Sequence, residues 1–200
     1  MDVLRGVIMI IMAIDHVMGQ FGKHSSMEVK NSLMFLGYSN ATEQWSRLLT
    51  HLCAPGFQLL AGMGLAISVA RARQQGRAEW KISLDLLLRG VILILAEFYL
   101  MYPIFKFPYF FMVLSCIGVC TLCFEFLRHL PPFHILLVSL IIILGAPFYG
   151  PEGMKGVTAS SYFFDLWWRV GFGKYGILYP ELPWLGIFAF GWRIGLKLAD

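Results

Sequence analysis

ISLDLLLRGVILILAEFYLMYPI, residues 82 to 104, decides the fold. A helix that spans a bilayer takes about 20 mostly apolar residues, and this stretch supplies them with only Asp85, Arg89 and Glu97 carrying charge. Residues 108 to 127, PYFFMVLSCIGVCTLCFEFL, form a second such run directly after it. Working outward, residues 3 to 22, 48 to 70, 133 to 148 and 182 to 198 come near the same length. The run 133 to 148 is short and ends in Gly145, Ala146 and Pro147, so it reads as tilted, kinked or buried among neighbours. The expected fold class is therefore all-α, a polytopic transmembrane helix bundle of about six spans.

Composition agrees with that reading. Of 200 residues, 58% are hydrophobic and 14% charged, with mean hydropathy +0.68. Soluble domains run near ~45–50% and ~25%, so a water-soluble enzyme and a disordered chain are excluded. Net charge is +4, but the basic residues are scattered and not gathered in one stripe, which argues against a nucleic-acid partner. No internal repeat and no low-complexity linker is visible. The first apolar run begins at Val3 with almost no basic leader and no A-x-A site, and it continues for a full span. It reads as a first transmembrane helix and not as a cleavable signal.

Orientation follows from the loops. The segment RARQQGRAEWK, residues 71 to 81, holds Arg71, Arg73, Arg77 and Lys81, the densest basic patch in the chain. The positive-inside rule places it in the cytoplasm. An even number of spans then brings both termini to the same side, with Arg128, Arg193 and Lys197, while residues 23 to 47 and 149 to 181 face outward. The outer segment SYFFDLWWRVGFGKY, residues 161 to 175, reads either as an interfacial or re-entrant piece or as a simple aromatic belt.

Ionisable groups cost about 2.5–3.5 kcal/mol each inside a bilayer, so each one is a candidate functional group. The first run places Arg5 near its cytoplasmic mouth and Asp15 with His16 deep along it. Eleven residues at about 1.5 Å put His16 roughly 16 Å from Arg5, and at 3.6 residues per turn the two differ by only about 20°. They share one helix face. A guanidinium at the inner mouth can hold a phosphate or carboxylate through two parallel hydrogen bonds, and a histidine farther up the same face can act as a general base. The plainer reading, Arg5 as a positive-inside flank and His16 as a packing residue, fits the spacing equally well.

The string THLCAPGFQLLAGMG, residues 50 to 64, adds His51 at its start and Gln58 inside the span. Gln58 offers two donors and an acceptor; Pro55 can kink the helix, and Gly56, Gly62 and Gly64 permit close helix approach. These features suit either a substrate tunnel or ordinary packing. Asp85 and Arg89, at i and i+4, read by default as a local ion pair. Glu97 lies near mid-span and must be paired, protonated or wetted, so it is a candidate to orient a histidine or relay a proton, or, as a protonated acid, to bond a neighbouring helix. Cys116, Cys120 and Cys123 share a helix face with no histidine or acid at metal-ligand spacing, so they read as reduced packing thiols and no metal is expected. Glu181, flanked by Pro180 and Pro183, marks an outer turn into the last run.

The segments DVLRGVIMIIMAIDH, THLCAPGFQLLAGMG, FFMVLSCIG and YPELPWLGIFAFGWRIG resemble the heparan-α-glucosaminide N-acetyltransferase-like bacterial membrane proteins. Asp2, Arg5 and His16 also fit the Asp-x-x-Arg and Arg-x10-His pattern of the wider transmembrane acyltransferase superfamily. The four segments spread over nearly the whole chain. The resemblance implies transfer of an acyl group from cytoplasmic acyl-CoA, acetyl-CoA in the named branch, to a sugar or other envelope acceptor on the far side. It gives Arg5 the role of the family arginine and His16 that of the deep histidine. The eukaryotic branch has asparagine at the place of His16 and a histidine slightly later, in a string similar to Phe21-Gly22-Lys23-His24, which makes His24 a second candidate base. Family members have about ten or eleven spans, so the chain is expected to be a single acyltransferase-like domain, shortened or the amino-terminal part of a longer one.

Two other classes stand beside the enzyme. A proton-coupled transporter would also want Asp, His and Glu at mid-depth, although its expected inverted repeat is not apparent. A non-catalytic assembly subunit suits the short length but not the Arg5/His16 face. The expected partners are the lipid bilayer of a bacterial inner membrane, acyl-CoA and the far-side acceptor, with self-association into a homo-oligomer left open.

Overall fold

A computed structural model of the chain describes residues 2–21, 52–105, 110–149, 176–177, 179 and 181–199. Six helices run through them: α1 Asp2–Phe21, α2 Cys53–Gln74, α3 Glu79–Phe105, α4 Val113–Leu127, α5 Pro132–Tyr149 and α6 Glu181–Ala199. Each falls on one of the six apolar stretches. Among the described residues the sole non-helical pairing is a short parallel one, β1 Phe110–Phe111 against β2 Gly176–Ile177.

The helix ends follow from local chemistry. α2 closes on Arg71 and Arg73 and α3 opens on Glu79, each charge opposing the partial charge of its helix end. Pro132 opens α5, where a missing N–H costs nothing. Pro55 falls in the first turn of α2 for the same reason, so the expected kink gives way to a helix start. α4 has no cap from its own Met112.

By length and composition α2 can cross a membrane; α4 and residues Pro132–Gly145 of α5 are shorter apolar helices. At about 1.5 Å per residue, the 18 residues of α5 reach only about 27 Å, as the short run foretold. Along α3, Leu84, Leu88, Ile92, Leu95 and Tyr99 are all exposed at i, i+3 or i+4 spacing. A helical stripe of that kind calls for an apolar neighbour.

The chain divides into two compact units, Met1–Leu60 and Ala61–Asp200. In the first, Gly56 leaves room for Ile8: a Cβ there would stand 2.9 Å from the isoleucine Cδ1. In the second, α3 packs along α4, α5 along α6, and α4 also meets α6. The α3–α4 crossing is made by two glycines. A Cβ on Gly118 would lie 2.8 Å from the Gly90 carbonyl oxygen, and one on Gly90 would lie 2.9 Å from that of Gly118. Without a hydrophobic force between helices in lipid, such close backbone approach is what van der Waals packing requires. Phe124 stands 5.0 Å from both Phe188 and Trp192, ring to ring, and all three are fully buried. Thr121 and Ser139 donate their hydroxyls to Ile117 and Leu136 carbonyls at 2.7 Å, so neither leaves a polar group unsatisfied.

Candidate active site

In the first unit α1 runs unbroken from Asp2 to Phe21, so positions 5 and 16 lie about three turns apart on one helix face. Arg5 donates through Nη1 to Asp2 Oδ1 at 3.0 Å and through Nη2 to the Leu60 carbonyl at 3.3 Å. The guanidinium is 39% exposed, and its acidic partner is 94% exposed. A pair that open to solvent contributes only about 0–1 kcal/mol. An incoming anion can therefore replace Asp2 at little cost, while the bond to Leu60 keeps the fork aimed. Gln58, two residues before Leu60 on α2, is buried.

The side chains of Asp15 and His16 lie outside the described residues, although their backbone belongs to α1. His24 and His51 lie outside the described residues altogether, as does the aromatic segment 161 to 175.

Glu97, in the second unit, is fully buried. One carboxylate oxygen accepts the Ser115 backbone N–H at 2.6 Å, and the other accepts that of Met112. These are N–H groups at the start of α4, which have no partner inside the helix. A carboxylate from α3 thus supplies the cap that α4 lacks, at the positive end of the α4 dipole. Of the roles open to Glu97 from sequence, bonding a neighbouring helix is the one these contacts fill.

A second buried acid was missed by sequence reasoning. Glu181, the first residue of α6, accepts from the Cys120 thiol at 2.9 Å through Oε1. Cys116 Sγ, Cys120 Sγ and a Glu181 oxygen all lie within 4.8 Å of one another, and all three residues are buried. The helical spacing of the cysteines was visible; the acid stands 61 residues beyond Cys120.

Where α3 begins and α4 ends, Arg128 is enclosed. It donates to Glu79 at 2.7 Å, Ser83 at 2.8 Å and both oxygens of Glu125 at 3.1 Å, and Ser83 donates to Glu125 at 2.6 Å. Burial alone would lower the Arg128 pKa, but its bonds to Glu125 and Glu79 outweigh that and raise it. Glu79 also accepts from Arg73 at 2.7 Å, and with Arg73 and Arg128 both donating to it, its carboxyl falls to about 2. Asp85 pairs with Arg77 at 2.8 Å across the α2–α3 connection. The expected Asp85–Arg89 pair is displaced by it.

A family model described as heparan-alpha-glucosaminide N-acetyltransferase, catalytic, matches residues 1–199. The chain belongs to this family. The family is one of membrane acetyltransferases that use acetyl-CoA in general, which suggests an acetyltransferase domain. No curated protein and no solved structure matches the chain. The Asp2–Arg5 ion pair joins the two residues of the Asp-x-x-Arg string in the first turn of this family domain.

Proposed function

We propose that the protein is an integral membrane acetyltransferase that takes an acetyl group from acetyl-CoA on the cytoplasmic side and passes it to a sugar amine or hydroxyl on the far side of a bacterial inner membrane. The family match over residues 1–199 carries this reading. Six membrane spans with both termini cytoplasmic suit it, because the dense basic segment 71 to 81 and Arg128 then share one side.

In this reading Arg5 holds donor phosphates. Its partly exposed fork, weakly held by Asp2 and anchored on the Leu60 carbonyl, is suited to bidentate capture of an oxyanion. His16, three turns along the same face, acts as general base on the acceptor, or His24 does so from beyond the helix end. The base removes the acceptor proton, the acceptor attacks the thioester carbonyl, and CoA leaves as the thiol. Asp15, His51 and Gln58 are assigned to the same path, with Asp15 orienting the base and the other two contacting substrate.

The test is transfer of radiolabelled acetyl from acetyl-CoA, supplied outside inverted membrane vesicles carrying the full chain, to glucosamine enclosed within. Labelled acetylglucosamine inside the vesicles is expected. Intact acetyl-CoA binding with no transfer to any amino or hydroxyl sugar would overturn the reading.

A further inference from the structure

The two α4 thiols and the acid that opens α6 meet in the interior of the second unit, and nothing in the acetyl-transfer scheme uses them. Cys116 and Cys120 are one helical turn apart, which stacks their sulfurs on one face of α4. α6 packs against that helix and brings Glu181 to the same point, so that the three donor atoms lie within 4.8 Å of one another. Around one tetrahedral zinc ion, with bonds of about 2.3 Å to sulfur and about 2.0–2.2 Å to oxygen, donor atoms lie about 3.5–3.8 Å apart. All three donors fall inside 4.8 Å, and Cys120 Sγ and Glu181 Oε1, 2.9 Å apart, need only open slightly to admit the ion.

The acid supplies a second, independent observation. Glu181 is 0% exposed, and its Oε2 has no hydrogen-bond partner. Among the described residues no lysine, arginine or histidine pairs with it. A buried carboxylate oxygen without a partner is unfavourable, and a cation between the carboxylate and the thiols removes that defect. None of the four cysteines forms a disulfide, so the sulfurs are in their reduced state.

We infer that Cys116, Cys120 and Glu181 bind one divalent cation of the zinc class, which ties the first turn of α6 to α4. Two sulfurs among three donors select a borderline-soft ion over magnesium or calcium, which take oxygen ligands. On binding, each thiol releases its proton to solvent, and the resulting thiolates and the carboxylate share the charge of the ion. The ion acts as a cross-link between helices. This inference is independent of the acetyl-transfer reading, since it concerns neither Arg5 nor His16.

The full chain, expressed with supplemental zinc and purified in detergent without chelator, is expected to carry about one zinc per chain by inductively coupled plasma mass spectrometry. Cys116→Ser together with Cys120→Ser should bring zinc to the level of a protein-free blank, and Glu181→Gln should lower it at least tenfold after mild chelation. Cys123→Ser, which keeps all three donors, should retain the ion. Because the paired substitution can also unfold the chain, the unmutated protein gives a second readout: after exchange into cobalt(II), an intense near-ultraviolet thiolate-to-cobalt band with visible tetrahedral bands is expected. Zinc-free wild type that also shows no thiolate band with cobalt would overturn the inference. So would zinc that survives the paired cysteine substitution in folded protein, or copper in its place.

Discussion

The Glu97 carboxylate receives the Ser115 backbone N–H at 2.6 Å, so a side chain of α3 closes the amino-terminal end of α4. Its other oxygen takes the Met112 N–H. The two helices also meet at the Gly90–Gly118 crossing, and together the contacts fix both their spacing and their axial register.

Glu97→Ala removes both acceptors and leaves buried N–H groups unpaired, at about 1–3 kcal/mol for each such group. The melting temperature of the detergent-solubilised protein should fall by several degrees. Glu97→Gln keeps one carbonyl oxygen and should lose less. Equal melting temperatures for wild type and Glu97→Ala would show that this cap does not hold the helix.

Gly118→Ala tests the crossing itself. The added methyl would meet the Gly90 carbonyl at 2.8 Å and Ile94 Cγ1 at 2.7 Å, and a backbone oxygen cannot step aside as a side-chain end can. A destabilisation of about 1–3 kcal/mol is expected, the usual range for overpacking, read as a lower midpoint in denaturant-induced loss of helicity. An unchanged midpoint would mean that the helices cross elsewhere.

The Arg73–Glu79–Arg128 chain predicts a pH dependence. The Glu79 carboxyl sits at about 2 in the folded protein against 4.5 ordinarily. A carboxyl depressed on folding contributes stability that is present above its ordinary value and lost as pH falls toward the folded one. The stability difference between wild type and Glu79→Gln should therefore be constant near pH 7 and shrink between about pH 4.5 and about pH 2. Glu79 is 52% exposed, so solvent screening limits the difference to about 1 kcal/mol or less. A difference that grows on acidification would contradict the assignment.

The six helices among the described residues were legible in the sequence, because each coincides with an apolar run. Their partners were not. Asp85 had Arg89 one turn away on its own helix, yet it pairs with Arg77, eight residues back in the α2–α3 connection. Arg128 read only as a cytoplasmic flank, and its enclosure by Glu79, Ser83 and Glu125 depends on α3 and α4 lying side by side. Glu181 read as a turn marker for the same reason: its meeting with Cys120 is a product of helix packing, to which local periodicity is blind. Asp2 and Arg5, by contrast, stand three residues apart on one helix and were visible as a motif, although their ion pair came only from the structure.

Arg5→Ala should weaken acetyl-CoA binding by about 10- to 100-fold, the loss of hydrogen bonds to a charged group at about 1.5–3 kcal/mol. Arg5→Lys keeps the charge and loses the fork, so it should fall between wild type and Arg5→Ala. Isothermal calorimetry on the purified full chain measures both. Wild-type affinity in Arg5→Ala would remove Arg5 from the donor site.

The base is decided by comparing turnover with binding. If His16 serves the thioester end, three turns from a phosphate-binding Arg5, as proposed, His16→Ala should cut kcat by about 10²–10⁴-fold while the Kd for acetyl-CoA stays nearly unchanged. A histidine that only packs would lower thermal stability instead and leave kcat of the folded fraction intact. His24→Ala separates the two candidate bases, since the histidine that performs the proton transfer is the one whose removal abolishes turnover. A rate lost in His24→Ala and kept in His16→Ala would move the base beyond the end of α1. Wild-type rates in both single variants and in the double variant would rule out histidine catalysis from this part of the chain. An acceptor of higher nucleophilicity should partly rescue whichever variant lacks the base, because such an acceptor needs less help in losing its proton, and packing loss offers no route to that rescue.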